Sequence, residues 1–569
     1  MKKSRRAPEQ AKASAEAVKI PPRKLAWWPW AAFGAALLVA LEAYGPALRG
    51  DFVLDDLYLP FGLPNADQLT LWDWISRTRP VLMFSYWLNY RMSGTETYSY
   101  HGTNVLLHTL VAIVIALVTA RLLEWSGVAG RARMILSIFA GGLFLLHPLQ
   151  TESVAYVASR SEVLSVLFYF SAFALFAYRN EERVPWWRSV LCAVLLLIAV
   201  NTKEHTLTLP LLLLAAAWFW PRGGIRGNLP FFALQAGAGV IGAYLVIRVL
   251  RAADTAGFNV KSIGPGSYLF TQCRVIWMYI RQFFIPAGQN VDPDIPHSTN
   301  LLQHGAFIGL LALFALLVAA WWSRKRWPLA AFGVFMFLLL LAPTSSFVPI
   351  QDVYAERRMY LPFLGLTLVV VEFLRRLDTK PMLWTATGIL AVCAVLTYQR
   401  SEVWSSPLAL WKDAVAKSPR KVRPRFQLAY AYYASGQCPE AAENYQIAGN
   451  LAPPDYLLLV DWSNALYCAG QNDAAIERLR QAVTFPRPAE AYLLLGAIFA
   501  KQGRMQDALE ALGEAEKINP SLGDIYVNRG NIFLLSGDHD AAVREYQRAL
   551  RVDPSNPHAL DALSRAGGR

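Results

Sequence analysis

Before residue 399 the chain carries eleven apolar stretches of roughly membrane length, at 27–48, 104–123, 134–148, 161–178, 187–201, 204–220, 229–250, 305–322, 328–346, 359–374 and 382–398. A bilayer core offers no water to an unpaired N–H or C=O, so stretches of this kind are satisfied as helices. The expectation is an all-α chain with a polytopic membrane domain over 27–398. One further stretch, 267–286, is apolar but interrupted by Gln272, Arg274, Arg281 and Gln282. If it crossed, the basic loops Arg324-Lys325-Arg326 and Arg375–Lys380 would face outward, against the retention of Lys and Arg on the cytoplasmic side. Laid in the interface as an amphipathic helix, it leaves those loops inside with Arg131/Arg133, Arg179/Arg183 and Arg222/Arg226. Eleven crossings then put the N-terminus inside and residues 399–569 outside. Residues 1–26 hold Lys2, Lys3, Arg5, Arg6, Lys12, Lys19, Arg23 and Lys24, and read as a retained cytoplasmic segment. The net charge of +13 therefore sits beside spans, which argues against a nucleic-acid partner and for the bilayer.

After the last stretch the pattern changes to a repeat of 34 residues. Residues 523–556 place Tyr526, Gly530, Phe533, Gly537, Ala542, Tyr546, Ala549 and Pro554 at tetratricopeptide positions. Residues 489–522 and 422–455 repeat the pattern, and 456–488 carries a weaker copy with Gly470, Ala475, Leu479 and Ala482. Trp411, Ala414 and Pro419 fit the second half of an earlier unit, and 555–566 fits a polar capping helix. Residues 399–569 thus read as an α-solenoid, whose groove suits an extended polypeptide; packing on the membrane domain is the alternative use. Cys192, Cys273 and Cys393 fall in apolar segments. Cys438 and Cys468 stand at neighbouring helix ends, either as a disulfide, which an oxidising exterior permits, or as two buried thiols.

Just past the first stretch, on its outer side, comes Asp51-Phe-Val-Leu-Asp55-Asp56. The same side collects His147, Glu152, Arg160, Glu162, Lys203, Glu204, His205, Glu356, Arg357 and Arg358. Ionisable groups beside a bilayer are costly, so their convergence points to a polar site at the membrane surface and a lipid-linked substrate. A carboxylate, Asp55 or Asp56, suits a general base on an attacking hydroxyl. Fixed cations suit a departing phosphate, and Lys203, Arg160, Arg357 and Arg358 are the candidates. Each has a structural alternative: Arg160 pairing with Glu162, a snorkelling Lys203, Glu356 pairing with the two following arginines, His147 capping a carbonyl, Arg79 shaping the first loop. Two aspartates and Glu152 could hold a hard cation through oxygen, but nothing in their spacing requires one. A Walker-type loop is absent, consistent with a donor other than a nucleotide.

Six blocks occur in order: Asp51–Asp56, Arg79-Pro-Val-Leu, His101-Gly-Thr-Asn104 with His108, His147-Pro-Leu-Gln-Thr-Glu152 through Arg160-Ser-Glu162, Lys203-Glu204-His205 through Pro210, and Ala355-Glu356-Arg357-Arg358 through Pro362. With the repeats that follow, they resemble the transmembrane and tetratricopeptide-repeat O-mannosyltransferases and their bacterial relatives, in the GT-C superfamily of polyprenyl-phosphate-sugar transferases. Where that family usually has His, this chain has Arg357. The resemblance implies an inverting transfer, without metal or cofactor, from a polyprenyl-phosphate-linked sugar donor to a hydroxyl of a protein acceptor in the periplasm. It implies a multi-pass inner-membrane enzyme whose repeats bind that acceptor, with Glu152, Glu162, His147 and Arg79 supporting the site. The competing readings are a transferase to glycolipid or polysaccharide and a non-catalytic membrane scaffold. A transporter is disfavoured, because its ionisable groups would lie near mid-span.

Overall fold

Every apolar stretch read from the sequence falls on a helix. The computed structural model describes residues 28–566 apart from Pro64, Asn180, Arg222 and Gly223, so the basic segment 1–26 and the Arg222 member of its loop lie outside the described residues. Among the described residues there is no strand, only an isolated bridge between Ala256 and Ile350. Thr97–Trp125, Val157–Ala177, Leu229–Arg251, Gln303–Ser323 and Thr379–Val403 are each long and apolar enough to cross a bilayer. Two further runs are bent: Pro29–Ala43 joins Gly45–Tyr58 at 70°, and Gly130–Leu146 joins Pro148–Ala155 at 49°. Trp186–Val200, Glu204–Phe219, Pro328–Leu341 and Phe363–Leu374 are shorter apolar helices.

Both bends have a proline at the break, Pro46 and Pro148, where the missing N–H and the ring end the preceding helix. The consequence is that the chain turns sideways on leaving each helix. The first bend delivers Asp55 and Asp56, the second Glu152.

The loops gather at two opposite ends of the bundle. At one end Arg121 Nη2 donates to Arg179 O (3.1 Å), Arg375 Nη1 to Ser126 O (3.2 Å) and Arg376 Nη2 to Arg326 O (2.7 Å). Fully buried Glu372 accepts there from Arg375, Arg376 and the Leu329 N–H. All the carboxylates and cations singled out around Asp55 lie at the other end. The interrupted stretch forms Pro265–Phe284, and its two halves meet loops of that same end. Tyr268 donates to Thr344 O (2.6 Å), Tyr279 to Ala355 O (3.1 Å), and His147 donates to Phe283 O (3.0 Å). The helix lies across the bundle end rather than running between the ends, and buries Tyr268, Gln272, Val275, Tyr279 and Phe283.

Small residues set a close helix contact. A Cβ added at Gly365 would stand 2.6 Å from Gly333 O and from Phe337 N, so Pro328–Leu341 and Phe363–Leu374 pack backbone to backbone. Gly365→Val is expected to cost about 1–3 kcal/mol through overpacking, read as a lower melting temperature in detergent. An unchanged value would mean that the two helices do not touch.

Residues 407–566 wind into the solenoid. Helix pairs Val422–Ala434/Cys438–Leu451, Tyr456–Cys468/Asn472–Ala482, Ala489–Lys501/Met505–Ile518 and Gly523–Leu535/His539–Val552 follow Pro407–Lys417, and Pro557–Ala566 closes the array. Gly436, Gly470, Gly503 and Gly537 sit one per repeat at φ 75°, 77°, 77° and 81°, the left-handed turn that follows each first helix. Gly530 admits the Tyr546 ring, which a Cβ would meet at 2.5 Å. Cys438 and Cys468 are joined by a disulfide. The array is clamped to the membrane domain at its first turn: Asp292 takes Lys421 (2.5 Å) and Arg423 (2.6 Å), Asn290 bonds Ser418 (2.8 Å), and Arg423 reaches Asp352 (3.0 Å).

Candidate active site

The adjacent aspartates have opposite environments. Both sit on the short 3-10 segment Leu54–Tyr58, entered through Leu54 at φ 53°. Asp56 points inward and is fully buried. Its Oδ2 accepts the Val53 N–H (3.2 Å) and its Oδ1 the Ala158 N–H (2.6 Å), tying this segment to 157–159. Burial raises its carboxyl to about 7; the N–H donors oppose that shift and the neighbouring charge of Asp55 adds to it. Asp55 is exposed, and among the described residues its side chain has no hydrogen-bond partner. Only its backbone is held, donating to the Tyr156 hydroxyl at 2.9 Å.

Tyr156 links the aspartates to the cations. The guanidinium carbon of Arg357 lies 5.9 Å from its ring centre. Glu152, fully buried, takes the Arg357 N–H at 3.0 Å and the Arg357 guanidinium with its other oxygen, so Arg357 is neutralised locally. Arg358 is not. It donates to Val353 O (3.2 Å), Asp352 O and the Tyr268 hydroxyl (3.3 Å), and has no ion-pair partner among the described residues. Lys203 stands 3.3 Å from Glu162, which His205 also approaches at 3.4 Å. Burial pulls the Lys203 ammonium below its ordinary value while Glu162 works to keep it charged. Arg79 binds Glu204 through two bonds of 2.9 Å.

These groups line one wall of a cavity of about 480 Å3: Arg79, Glu162, Lys203, Glu204, His205, Arg357 and Arg358. Leu207, Leu211, Val246, Val249 and Leu250 form another wall. Exposed apolar residues Val240, Ile241, Tyr244 and Ile247 continue that wall along the helix Leu229–Ala252.

Asp55, Asp56 and Glu152 are not among the residues that line this cavity, and Arg160 and His147 stand further apart from it. Arg160 is fully buried and spent on Asn104 Oδ1 (2.8 Å), Tyr100 O (3.1 Å) and Ser85 O (3.2 Å), with its guanidinium 4.6 Å from the Tyr86 ring centre. It pairs with neither Glu162 nor the cavity. His147 donates from Nε2 to Phe283 O and accepts the Leu149 N–H on Nδ1 (3.2 Å), a neutral ring pinned at both nitrogens. Glu356 pairs with neither arginine that follows it. It is buried, accepts from Asn290 N (2.7 Å) and Gln289 (3.1 Å), and faces Arg400 at 3.8 Å. Burial raises it to about 7, against the pull of Arg400. Sequence reasoning passed over Tyr156, Tyr268, Asn290 and Arg400. Arg400 alone carried a signal, a cation in the last turn of an apolar helix.

Residues 460–522 match the family described as Tetratricopeptide repeat, and residues 530–563 match TPR repeat. Over 586 aligned residues the chain is 22% identical to Protein O-mannosyl-transferase TMTC3 of Homo sapiens, covering 85% of this chain and 62% of that protein. It is 23% identical to Protein O-mannosyl-transferase F38B6.6 of Caenorhabditis elegans, covering 73% and 62%. For Protein O-mannosyl-transferase TMTC4 of Homo sapiens the identity is 22%, covering 68% and 62%. The chain therefore spans about three fifths of the length of these curated relatives, 62% in each case. Aligned through both the apolar helices and the repeats, the chain is a relative of the protein O-mannosyl-transferases.

Proposed function

We propose that this chain is a membrane O-glycosyltransferase that moves a sugar from a polyprenyl-phosphate carrier to a hydroxyl of a protein. The observation that carries the reading is the cavity of about 480 Å3 with cations on one wall and lipid-facing helices on the other. A sugar phosphate on a long hydrocarbon chain presents the same two surfaces. Arg358, which has no ion-pair partner among the described residues, and Lys203 take the phosphate. Arg79 and Arg357, held by Glu204 and Glu152, add field without being free to move. Asp55 accepts the proton of the acceptor hydroxyl as its oxygen bonds to the anomeric carbon. The bond from that carbon to the phosphate oxygen breaks on the opposite face, and its electron pair leaves on the phosphate, so the configuration inverts. Charge grows on the phosphate during this step, where fixed cations act most strongly.

The positioning of the basic loops at one bundle end supports an orientation with those loops in the cytoplasm. Asp55 and the solenoid then face the periplasm across the inner membrane. A groove in the array, about 470 Å3 among residues such as Leu494, Ala497, Asn528 and His558, supports a polypeptide acceptor. Arg358→Gln and Lys203→Gln are expected to weaken donor binding and slow transfer together. Removing either cation would cost about 2.7–4 kcal/mol, the range of an oxyanion-hole donor. The measurement is acceptor glycosylation and donor affinity in reconstituted membranes. Unchanged affinity and rate in both variants would remove the phosphate from this cavity.

A further inference from the structure

A second cavity, of about 330 Å3, adjoins the first and shares Arg79, Glu204, Val246 and Val249 with it. Its own cations are Arg77 and Arg248, both exposed and neither in an ion pair among the described residues. Arg77 has one bond, from Nε to Asp73 O at 3.2 Å, which leaves its outer nitrogens open. The hydroxyls of Ser76 and Thr78 line the same space and carry no hydrogen bond among the described residues. Three guanidiniums, of Arg77, Arg79 and Arg248, line the cavity against one carboxylate, Glu204, with Asp73 close to Arg77, and an anion converts the remaining excess of positive charge into charge-assisted bonds. Guanidinium geometry suits the oxygens of a phosphate in particular.

The remaining wall says what else the anion carries. Leu245 and Val249 lie on the helix Leu229–Ala252, whose neighbouring Ile241, Tyr244 and Ile247 are exposed along the apolar flank of the bundle. A hydrocarbon chain attached to the phosphate can follow that flank. The partition between the cavities is the Arg79–Glu204 pair. Arg79 holds φ 61° and ψ 61°, a left-handed conformation that a non-glycine residue adopts at a cost of about 1–3 kcal/mol when its surroundings impose it.

We propose that this second cavity is a binding site for a lipid-borne phosphate, gripped by Arg77 and Arg248 and walled off from the first cavity by Arg79 and Glu204. The site does not depend on what the first cavity binds. The two sources of such a phosphate are an isoprenoid monophosphate and the headgroup of an anionic phospholipid.

Native mass spectrometry of the full chain separates them. Farnesyl phosphate is titrated onto protein in detergent, and phosphatidylglycerol retention is compared in nanodiscs with and without that lipid. Wild type is expected to hold a lipid phosphate that Arg77→Gln/Arg248→Gln binds about ten-fold more weakly or worse, a factor worth about 1.4 kcal/mol. Both positions are exposed, so the melting temperature should not move. Loss of farnesyl phosphate identifies the isoprenoid source and loss of phosphatidylglycerol the headgroup source; either supports the site. Equal retention of both lipids by wild type and the double variant overturns it. So does inorganic phosphate displacing the lipid at equal concentration, since the apolar wall would then contribute nothing. Arg358→Gln serves as the separate control: if it leaves all farnesyl phosphate binding unchanged, the donor reading of the first cavity fails and the second site stands.

Discussion

Asp55→Asn is expected to lower sugar transfer by about 10²-fold or more, the share of a positioned general base, with thermal unfolding unchanged. Among the described residues the Asp55 side chain makes no hydrogen bond that holds the fold together, so its replacement subtracts chemistry. Asp56→Asn should do the reverse. Both Asp56 oxygens accept backbone N–H groups, and a carboxamide turns one acceptor into a donor facing a donor. Leaving a buried N–H unmet costs about 1–3 kcal/mol. The pH dependence separates the two further. Burial raises the Asp56 carboxyl from 3.8 to about 7. A group that holds its proton more tightly when folded favours folding fully below about pH 4 and loses that contribution as pH rises through about 7. The melting temperature of wild type should therefore fall as pH rises from 4 to about 7–8, a slope that Asp56→Asn should lack. Near-normal transfer by Asp55→Asn, measured with donor consumption and acceptor labelling in the same vesicles, would move the base elsewhere.

Arg400→Met is expected to be the most destabilising single substitution at the junction of the two domains. Arg400 is 5% exposed, lies 3.8 Å from buried Glu356, and bonds Asp413 at 2.8 Å. Removing one partner of a buried pair strands the other, at a cost of about 3–5 kcal/mol. Glu356 immediately precedes Arg357 and Arg358, so the damage should reach the cavity as weaker donor binding as well as lower stability. Glu356, already raised to about 7 and released from the pull of Arg400, then takes up a proton, so adding Glu356→Gln should restore only part of the loss. A double variant no more stable than Arg400→Met would mean that Arg400 acts through Asp413 alone.

The helices and the repeats were legible because each rests on a local pattern. Apolar runs marked the bundle helices, and the glycines at 436, 470, 503 and 537 marked turns that only a left-handed residue closes comfortably. The interrupted stretch was legible for the same reason, since Gln272, Arg274, Arg281 and Gln282 spoil a crossing. The roles within the site were less so. Asp55 and Asp56 are indistinguishable in sequence, and their separation comes from a tight turn that sends one outward and the other toward Ala158. Arg160 looked like a phosphate ligand because it is a cation on the outer side of the spans with the other ionisable residues. Its true partners, Asn104, Tyr100 and Ser85, come from other segments of the bundle. Glu356, beside two arginines, suggested a local triplet; the fold instead gives Arg357 to Glu152 and Glu356 to Arg400. Pairings between distant segments are decided by packing, and no window of sequence contains them.

The clamp between Asp292 and Lys421 with Arg423 has a geometric consequence. A solenoid on a loose tether would sweep its cargo through a volume and present any hydroxyl to the membrane surface. One anchored at its first turn works as a ruler. If the groove takes the acceptor as proposed, a chain lying along it is held at a set distance from the membrane domain, and its local concentration there is high only for residues that the spacing reaches. Modified serines and threonines on such a chain should then fall in a narrow band, offset by a constant number of residues from the segment that the array grips. Cutting the clamp with Asp292→Asn should broaden that band before it lowers the total.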